Sequence, residues 1–181
     1  MIALIIAAAA WLWSKLKGGS MDQLQITAAP QAGQSAAPGP DGWVHPTGGL
    51  GKLTSPFGPR TNPVTKQPQV HNGQDLAVPV GTPVLAAKDG SVTVVKHDDP
   101  IAGRYIIVDH GGGMLTEYLH LSAAKAAKGD KVKAGQVIGL SGGAKGADGA
   151  GRSTGPHLHF IVKRGGVAVD PATVIASLRR A

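Results

Sequence analysis

Two short segments of the chain, His71-Asn-Gly-Gln-Asp75 and His157-Leu-His159, carry side chains that can bind a metal ion. Zinc in catalytic sites typically takes three protein ligands from His, Asp or Glu and keeps a fourth position for water. Alternate residues of a β-strand point to the same face, so the two histidines of the second segment would enter one cleft while Leu158 and Phe160 face the other way. The residue types therefore predict a metal site with histidines left over to act on a proton or an oxyanion.

Several motifs around these segments follow one another along the chain. Thr154-Gly-Pro-His-Leu-His-Phe160 and the His71–Asp75 segment closely resemble the two signature motifs of the M23 metallopeptidases, the lysostaphin-like zinc endopeptidases that cut peptidoglycan. The resemblance covers roughly residues 49–171 and continues in four further stretches: Ser55-Pro-Phe-Gly-Pro-Arg60, Gly81-Thr-Pro-Val84, Tyr118-Leu-His-Leu121 and Gly135-Gln-Val-Ile-Gly139. One H-x-H pair would be weak evidence, whereas several ordered motifs in one short domain are strong evidence.

The resemblance implies a ligand set and a set of catalytic residues. It implies that His71, Asp75 and His159 bind one zinc ion, although the spacing alone does not show which histidine of the H-x-H pair is the ligand. It also implies that His120 and His157 move protons. One would orient or deprotonate the water, and the other would stabilise the oxyanion or protonate the leaving amine; which histidine does which is left open.

Other residues border this predicted site. Arg60 is predicted to bind a substrate carboxylate or to form a structural salt bridge, and Tyr118 to border the cleft or to pack. Gly73 supplies the backbone freedom for the loop between the first two ligands to bend back. The glycine-rich stretch 142–155 is predicted to be a mobile groove wall. Ile161 stands where the family commonly has glutamate, a change that leaves every proposed ligand intact.

The composition indicates a β-rich domain. At 181 residues the chain has room for one ordinary domain and an appendage. Aromatic residues make up only 4%, so the core must consist mostly of Val, Ile, Leu and Ala. The 27 glycines and 13 prolines are typical of many turns and short strands. The absence of cysteine excludes disulfides, thiolate zinc sites, cysteine nucleophiles and a lipoprotein anchor.

A net charge of +7 favours anionic partners. Peptidoglycan is the partner that we expect from the resemblance. Nucleic acid is not expected, because neither a basic helix nor an aromatic stacking platform is recognisable. A basic solvated surface that aids solubility is the alternative explanation of the charge.

Residues 49–181 are predicted to form the peptidase-like domain, an all-β fold in which an antiparallel sheet carries an open groove. Turn signals such as Asp89-Gly90 separate short apolar runs. The predicted strands are Val84–Ala87, Ser91–Lys96, Arg104–Asp109, Met114–Leu119, Gln136–Leu140 and His157–Lys163. Helices are predicted only for Ser122–Lys128 and for Pro171–Arg180, the latter with Asp170 as its cap.

Residues 1–17 are predicted to be a membrane anchor or a signal-like segment. Within them, residues 2–13 form an unbroken apolar run that is shorter than the ~20 residues needed to span a bilayer comfortably. Its length suits a signal peptide, yet no Lys or Arg precedes it, and Lys15 and Lys17 follow it. We interpret the run as an uncleaved anchor or insertion segment; an ordinary signal peptide is the alternative.

This interpretation places the protein at the membrane or in the cell envelope, on the periplasmic side. By the positive-inside tendency, however, Lys15 and Lys17 should stay cytoplasmic, which would leave the enzyme on the wrong side of a bacterial inner membrane. This topology raises the hypothesis of a virion-associated lysin that a phage delivers. Residues 18–48, rich in Gly, Ser, Ala, Gln and Pro, are predicted to be a flexible linker, and His45 near its end is expected to be solvated.

The sequence thus predicts a zinc endopeptidase that cuts peptide cross-links or stem peptides of peptidoglycan. Gly139-Leu-Ser-Gly-Gly143 matches the nucleophile motif of serine hydrolases, but the following residues are too glycine-rich for the helix that this motif requires. Gly129–Gln136 resembles the hammerhead turn of biotinyl-carrier and lipoyl-carrier domains, but their Met-Lys hairpin is missing. A catalytically silent M23-like module that binds the wall or activates an amidase is the remaining alternative.

Overall fold

The computed structural model describes residues 38–62 and 65–179. These residues form thirteen strands, two short 3-10 helices and no α-helix. In chain order the strands are β1 Lys52–Ser55, β2 Gly58–Thr61, β3 Pro68–His71, β4 Gln74–Ala77, β5 Pro83–Leu85, β6 Gly90–Asp99, β7 Gly103–Asp109, β8 Met114–Leu119, β9 Leu121–Ala124, β10 Lys131–Val132, β11 Val137–Ser141, β12 Leu158–Arg164 and β13 Val167–Val169. The predicted all-β fold is confirmed.

Eight of these strands form one antiparallel sheet with the order β1-β4-β12-β8-β7-β6-β10, and β13 pairs with β12 outside this path. Strand β12 lies in the middle, between β4 and β8. In this register His159 stands opposite Asp75 on β4 and opposite Leu119 on β8. The central strand therefore brings the second signature motif against the first.

Two smaller sheets complete the domain. Strands β5, β11 and β9 form a three-stranded sheet, and β2 and β3 form a hairpin that ends with Gly58 opposite His71. The core contains residues from both larger sheets and is mostly aliphatic, as predicted. Its largest rings, Tyr118 and Phe160, lie on neighbouring strands with their centroids 5.3 Å apart.

The predicted helix over Ser122–Lys128 is wrong. Its alanines and lysines favour a helix locally, but the first half of the segment belongs to β9. There Ala123 pairs with Leu140 of β11. The neighbouring Gly139 allows this close approach, because a Cβ on it would lie 2.9 Å from the Ala123 carbonyl oxygen. Tertiary pairing thus overrides local propensity.

The predicted helix over Pro171–Arg180 is shorter than expected and is interrupted. It consists of two 3-10 helices, Pro171–Thr173 and Ala176–Leu178, separated by the buried Ile175 in an extended conformation. The predicted cap is confirmed, because the Asp170 carboxylate accepts a hydrogen bond from the backbone N–H of Ala172 at 3.0 Å.

The domain begins before residue 49. Trp43 and Val44 are buried, and the Val44 N–H donates to the Ala87 carbonyl at 2.8 Å. The predicted end of the linker at residue 48 is therefore wrong. The apolar run 2–13 and the rest of residues 1–37 lie outside the described residues. In the part of the chain that the structure describes, no helix is long and apolar enough to cross a membrane.

His45 is part of this packed segment, and the expectation that it is solvated is wrong. Burial lowers the pKa of His45 to about 4, and its Nδ1 accepts a hydrogen bond from the Thr47 N–H at 3.3 Å. A proton on Nδ1 would remove that bond.

The depressed pKa of His45 predicts a loss of stability in acid. Between pH 6.5 and about 4 the unfolded chain binds a proton at this position that the folded chain does not, so the free energy of unfolding falls as the pH falls through this window. We expect His45→Gln to show a weaker decline than the wild type in urea unfolding at pH 7, 6, 5 and 4. Parallel curves for the two proteins would contradict the assignment.

Candidate metal centre and groove

Three ligating atoms converge at one end of the central strand. The His159 Nδ1 lies 2.6 Å from Asp75 Oδ1 and 3.1 Å from His71 Nε2, and the His71 Nε2 lies 3.3 Å from the same carboxylate oxygen. The pairing of β12 with β4 sets the first contact. The β2–β3 hairpin ends at His71 and delivers the third ligand. The structure thus brings together all three predicted metal ligands.

The outer nitrogen of each imidazole has a hydrogen-bond acceptor, which determines its tautomer. The His71 Nδ1–H donates to the Pro56 carbonyl at 2.8 Å, and the His159 Nε2–H donates to the Asn72 side-chain oxygen at 3.2 Å. Each nitrogen that faces the centre therefore presents a lone pair. Such outer contacts are typical of metal-binding histidines.

Two nitrogen lone pairs and a carboxylate oxygen that face one another repel unless a cation lies between them. For zinc bonds of about 2.0–2.1 Å, tetrahedral geometry places neighbouring ligand atoms roughly 3.3 Å apart. The separations of 3.1 and 3.3 Å at the His71 Nε2 are close to this value, and the 2.6 Å between His159 Nδ1 and Asp75 Oδ1 is well below it. The donor set of two imidazoles and one carboxylate, with a side open to the groove, therefore fits a catalytic zinc ion.

Arg60 holds the predicted metal ligand Asp75 in place. Its Nη1 donates to Asp75 Oδ2 at 3.0 Å and to the Ser55 hydroxyl at 2.5 Å. With the Gln69 amide oriented so that its oxygen faces the guanidinium, Arg60 Nε and Nη2 donate to it at 3.0 and 3.2 Å. The ion pair between Arg60 and Asp75 is the structural salt bridge that was one of the two roles predicted for Arg60. Arg60 also lines the groove, and its contact with a substrate carboxylate stays a prediction.

The charges of the ligands are set by these contacts. Burial alone would raise the pKa of Asp75, but the adjacent His159 and His71 side chains outweigh burial and hold the pKa well below its usual range. Burial lowers the pKa of His159. Both groups therefore stay in the protonation state that binds a cation.

His120 and His157 lie beside the three predicted metal ligands. Their ring centroids are 4.8 Å apart, and that of His120 lies 6.0 Å from that of His159. The His120 Nδ1–H donates to the Ala150 carbonyl at 2.9 Å, and the His157 Nδ1–H donates to the Gly155 carbonyl at 2.8 Å. Within residues 38–62 and 65–179 neither Nε2 atom has a hydrogen-bond partner, so both can accept a proton.

The backbone of His120 is strained. Its φ of +61° lies in the left-handed region, which non-glycine residues seldom adopt. Strain of this kind concentrates at functional sites. Burial, followed by the nearby His157 and His159, lowers the pKa of His120 to about 4, so its ring is neutral at pH 7.

The centre opens into a groove of about 480 Å³. Residues from the β2–β3 hairpin, from the turn after β6 and from the segment before β12 line it: Arg60, Asn62, Thr65, Gln69, Val70, His71, Asn72, Asp75, Ile101, Ala102, Leu119, His120, Arg152, Ser153, Thr154, His157 and His159. The predicted groove is therefore present, with part of the stretch 142–155 in its wall.

Tyr118 does not reach the groove. Its side chain is completely buried, and its hydroxyl accepts hydrogen bonds from the Ala87 N–H at 2.8 Å and from the Thr116 hydroxyl at 2.9 Å. Burial raises the pKa of Tyr118 to about 12. The prediction that it contacts substrate is wrong, and the alternative that it packs is what the structure has.

Gly73 serves the site in a different way from the one predicted. Its φ is not in the left-handed region, so backbone freedom is not the reason for glycine. A Cβ at this position would collide with the Phe160 carbonyl and would lie 2.9 Å from Ile161 Cγ1 and 3.1 Å from His159 Nε2. Ile161 is itself buried and packs beneath this turn.

We expect Gly73→Ala to destabilise the domain by about 1–3 kcal/mol, the usual effect of overpacking, and to weaken zinc binding, because the added carbon displaces the His159 ring. Urea unfolding and zinc titration measure the two effects. Gly155→Ala is the matched control, since a Cβ at Gly155 has no neighbour within 4 Å. Equal stabilities of the two variants would contradict the packing argument.

Several residues that support the site were not predicted from the sequence. Asn72 orients His159, and the carbonyls of Pro56, Ala150 and Gly155 orient the other histidines. Asn72 lies inside the recognised His71–Asp75 motif, so the sequence could have indicated that it supports the site. Every residue has a backbone carbonyl, so the sequence cannot indicate which carbonyls orient the histidines.

The fold and the site define a class: an all-β metallohydrolase with a His-Asp-His metal centre and two further histidines in a groove. The sequence profile of Peptidase family M23 matches residues 69–171, more than half of the chain. The chain belongs to peptidase family M23.

Named relatives agree with this assignment. The peptidoglycan DD-endopeptidase ShyA of Vibrio cholerae is 46% identical over 123 residues, which cover 67% of this chain and 27% of ShyA. The DD-carboxypeptidase/endopeptidase Mpg of Neisseria meningitidis is 41% identical over 123 residues, which cover 68% of this chain and 27% of Mpg. The chain spans about a quarter of the length of these relatives.

Solved structures agree as well. A zinc-containing peptidase from Vibrio cholerae aligns with a TM-score of 0.61 and 39% identity, covering 78% of this chain and 39% of that one. Lysostaphin from Staphylococcus simulans aligns with a TM-score of 0.62 and 30% identity, covering 77% of this chain and 55% of that one.

Proposed function

We propose that this protein is a zinc-dependent endopeptidase that hydrolyses peptide cross-links or stem peptides of bacterial peptidoglycan. The observation that carries the proposal is the convergence of His71, Asp75 and His159 in one groove with two further histidines whose Nε2 atoms are free. The names of the relatives, a DD-endopeptidase and a DD-carboxypeptidase/endopeptidase, support the substrate class.

His71, Asp75 and His159 would hold the ion. When bound, zinc polarises a carbonyl and lowers the pKa of water to about 7. His157 has its Nε2 3.7 Å from Asp75 Oδ1, and the buried His120 lies beside it. Because both rings are held by carbonyls at Nδ1, each accepts or returns a proton only at Nε2. One takes the proton of the attacking water and the other serves the leaving amine or the oxyanion.

The groove also suits a peptide substrate. Its walls come from loops and a hairpin at one end of a sheet, and its lining is mostly polar, with Val70, Ile101 and Leu119 as the large apolar residues. Short stem peptides with small side chains can lie along such a surface. The site excludes the serine-hydrolase alternative, because Ser141 is completely buried and donates its hydroxyl hydrogen to the Pro79 carbonyl at 2.7 Å.

The test is digestion of purified peptidoglycan by residues 1–181 with added zinc, followed by mass spectrometry of the products. We expect new peptide amines and carboxylates at one type of bond. Zinc binding without any cleavage would contradict the proposed substrate, and absence of both would favour a silent wall-binding or amidase-activating module. Loss of a zinc ligand would mark such a module, and all three ligands are present here.

We further propose that residues 2–13 associate with the membrane, that residues 18–37 form a linker, and that the enzyme acts in the cell envelope on the periplasmic side. The apolar composition of the run and the envelope location of peptidoglycan support this proposal. Delivery on a phage virion is the alternative for the same segment. Mass spectrometry of the N-terminus decides: an intact N-terminus in membranes or virions supports these proposals, and a cleaved periplasmic form contradicts both.

A further inference from the structure

Two arginines line the groove, and only one of them has a partner. Arg60 is held by Asp75, Ser55 and Gln69. Arg152 is exposed, and within residues 38–62 and 65–179 its guanidinium has no hydrogen-bond or ion-pair partner. Among the groove-lining residues Asp75 is the one carboxylate, and it is committed to the metal centre and to Arg60. The groove therefore carries one uncompensated guanidinium.

The backbone of Arg152 is anchored. Its N–H donates to the Ile101 carbonyl at 2.9 Å, and a Cβ on the preceding Gly151 would collide with that same carbonyl. The segment is thus packed closely against the turn after β6. The backbone of Arg152 is therefore held at the groove wall rather than on a free loop.

The same segment positions both proton-transfer histidines. The carbonyl of Ala150 holds His120, and the hydroxyl of Ser153 lies 3.1 Å from the Nδ1 of His157. Arg152 stands between these two anchors in the chain. Arg152 therefore belongs to the stretch of groove wall that holds both histidines.

We propose that Arg152 binds a free carboxylate on the residue that supplies the leaving amine, so that the enzyme prefers peptide bonds next to such a carboxylate. This inference rests on the proposed endopeptidase function. A guanidinium binds a carboxylate with two parallel hydrogen bonds, a geometry that a neutral amide does not match. A bond inside a neutral peptide bridge, such as glycyl-glycine, offers no carboxylate at this position and is a poor substrate.

The test compares two synthetic peptides that end in D-Ala-D-Ala and differ only in the terminal group, a free carboxylate or a carboxamide. For the wild-type chain we expect kcat/KM to be roughly 10–100-fold higher for the carboxylate, the range of a charge-assisted hydrogen bond. Arg152→Gln should lower kcat/KM for the carboxylate peptide by the same factor, mainly through KM, and leave the carboxamide peptide unchanged. Arg152→Lys should retain part of the preference for the carboxylate peptide, because lysine keeps the positive charge but lacks the planar guanidinium that binds a carboxylate through two hydrogen bonds.

Lys145→Gln is the matched control, because it removes one positive charge from an exposed loop residue that does not line the groove. It should retain the full preference. Equal rates of the wild type on the two peptides, or an equal loss of both rates in Arg152→Gln, would overturn the inference. Digestion of peptidoglycan without cleavage of either peptide would overturn it too. Failure on both peptides and on peptidoglycan would instead count against the endopeptidase function itself.

Discussion

His159→Ala should abolish zinc binding and reduce peptidoglycan hydrolysis by roughly 10³-fold or more, since metal-ion catalysis is worth several kcal/mol and each 1.36 kcal/mol is a factor of ten. The substitution removes one of three ligands and also the partner that positions Asp75, at 2.6 Å. Two ligands are too few for a stable site with an open position.

Zinc should also stabilise the wild-type fold, because the ion binds only when strands β3, β4 and β12 are assembled. Adding zinc should therefore raise the Tm of the wild type and leave that of His159→Ala unchanged. Metal analysis, thermal unfolding and product formation measure the three effects on the same samples.

The matched control is His97→Ala, which makes the same chemical change at an exposed residue of β6 that does not line the groove. It should bind one zinc ion per chain and retain its activity. A His159→Ala protein that still binds one zinc ion tightly and shows the wild-type thermal shift would show that the ligand set is wrong.

The second large loss of activity is expected on substitution of His120 and His157, the two groove histidines that are not predicted zinc ligands. His120→Asn and His157→Asn should each lower kcat by roughly 10²–10⁴-fold, the usual range for general acid–base catalysis, while zinc stoichiometry stays at one. Asparagine is chosen because it tolerates the left-handed backbone of His120 better than most residues.

The kcat of the double variant should be only slightly lower than that of the less active single variant, because the effects of substituting residues that act in the same proton-transfer sequence are not additive. Steady-state kinetics with metal analysis on each protein provide the test. Unchanged kcat in either single variant would remove that histidine from the mechanism, and loss of zinc from it would make that histidine a ligand instead.

Much of this site was readable from residue types and spacing. The alternation in His157-Leu-His159 placed the histidines on one side and the apolar side chains on the other, and Leu158 and Phe160 are indeed fully buried. Period-two alternation is a local property of a strand, so it needs no knowledge of the rest of the fold. The strand at Met114–Leu119 was predicted with its observed bounds for the same reason.

Residues whose role depends on distant neighbours were harder to predict. Tyr118 and Arg60 lie in motifs that resemble those of the family, yet one is buried in the core and the other is held by Asp75. The sequence allowed two roles for each. The role of each residue is decided by partners that are far away in the chain, such as Ala87, whose N–H donates to the Tyr118 hydroxyl.

The amino-acid sequence by itself determined the strand-rich character of the domain, the residue types of the metal site and the faces on which they lie, because these follow from composition and from the period of a strand. Only the tertiary structure decided which nitrogen of each histidine faces the metal centre and which of the two groove-lining arginines has no partner among the described residues. Tautomers and ion pairs depend on acceptors from other strands, such as the Pro56 carbonyl at His71, and a backbone carbonyl is the same in every residue.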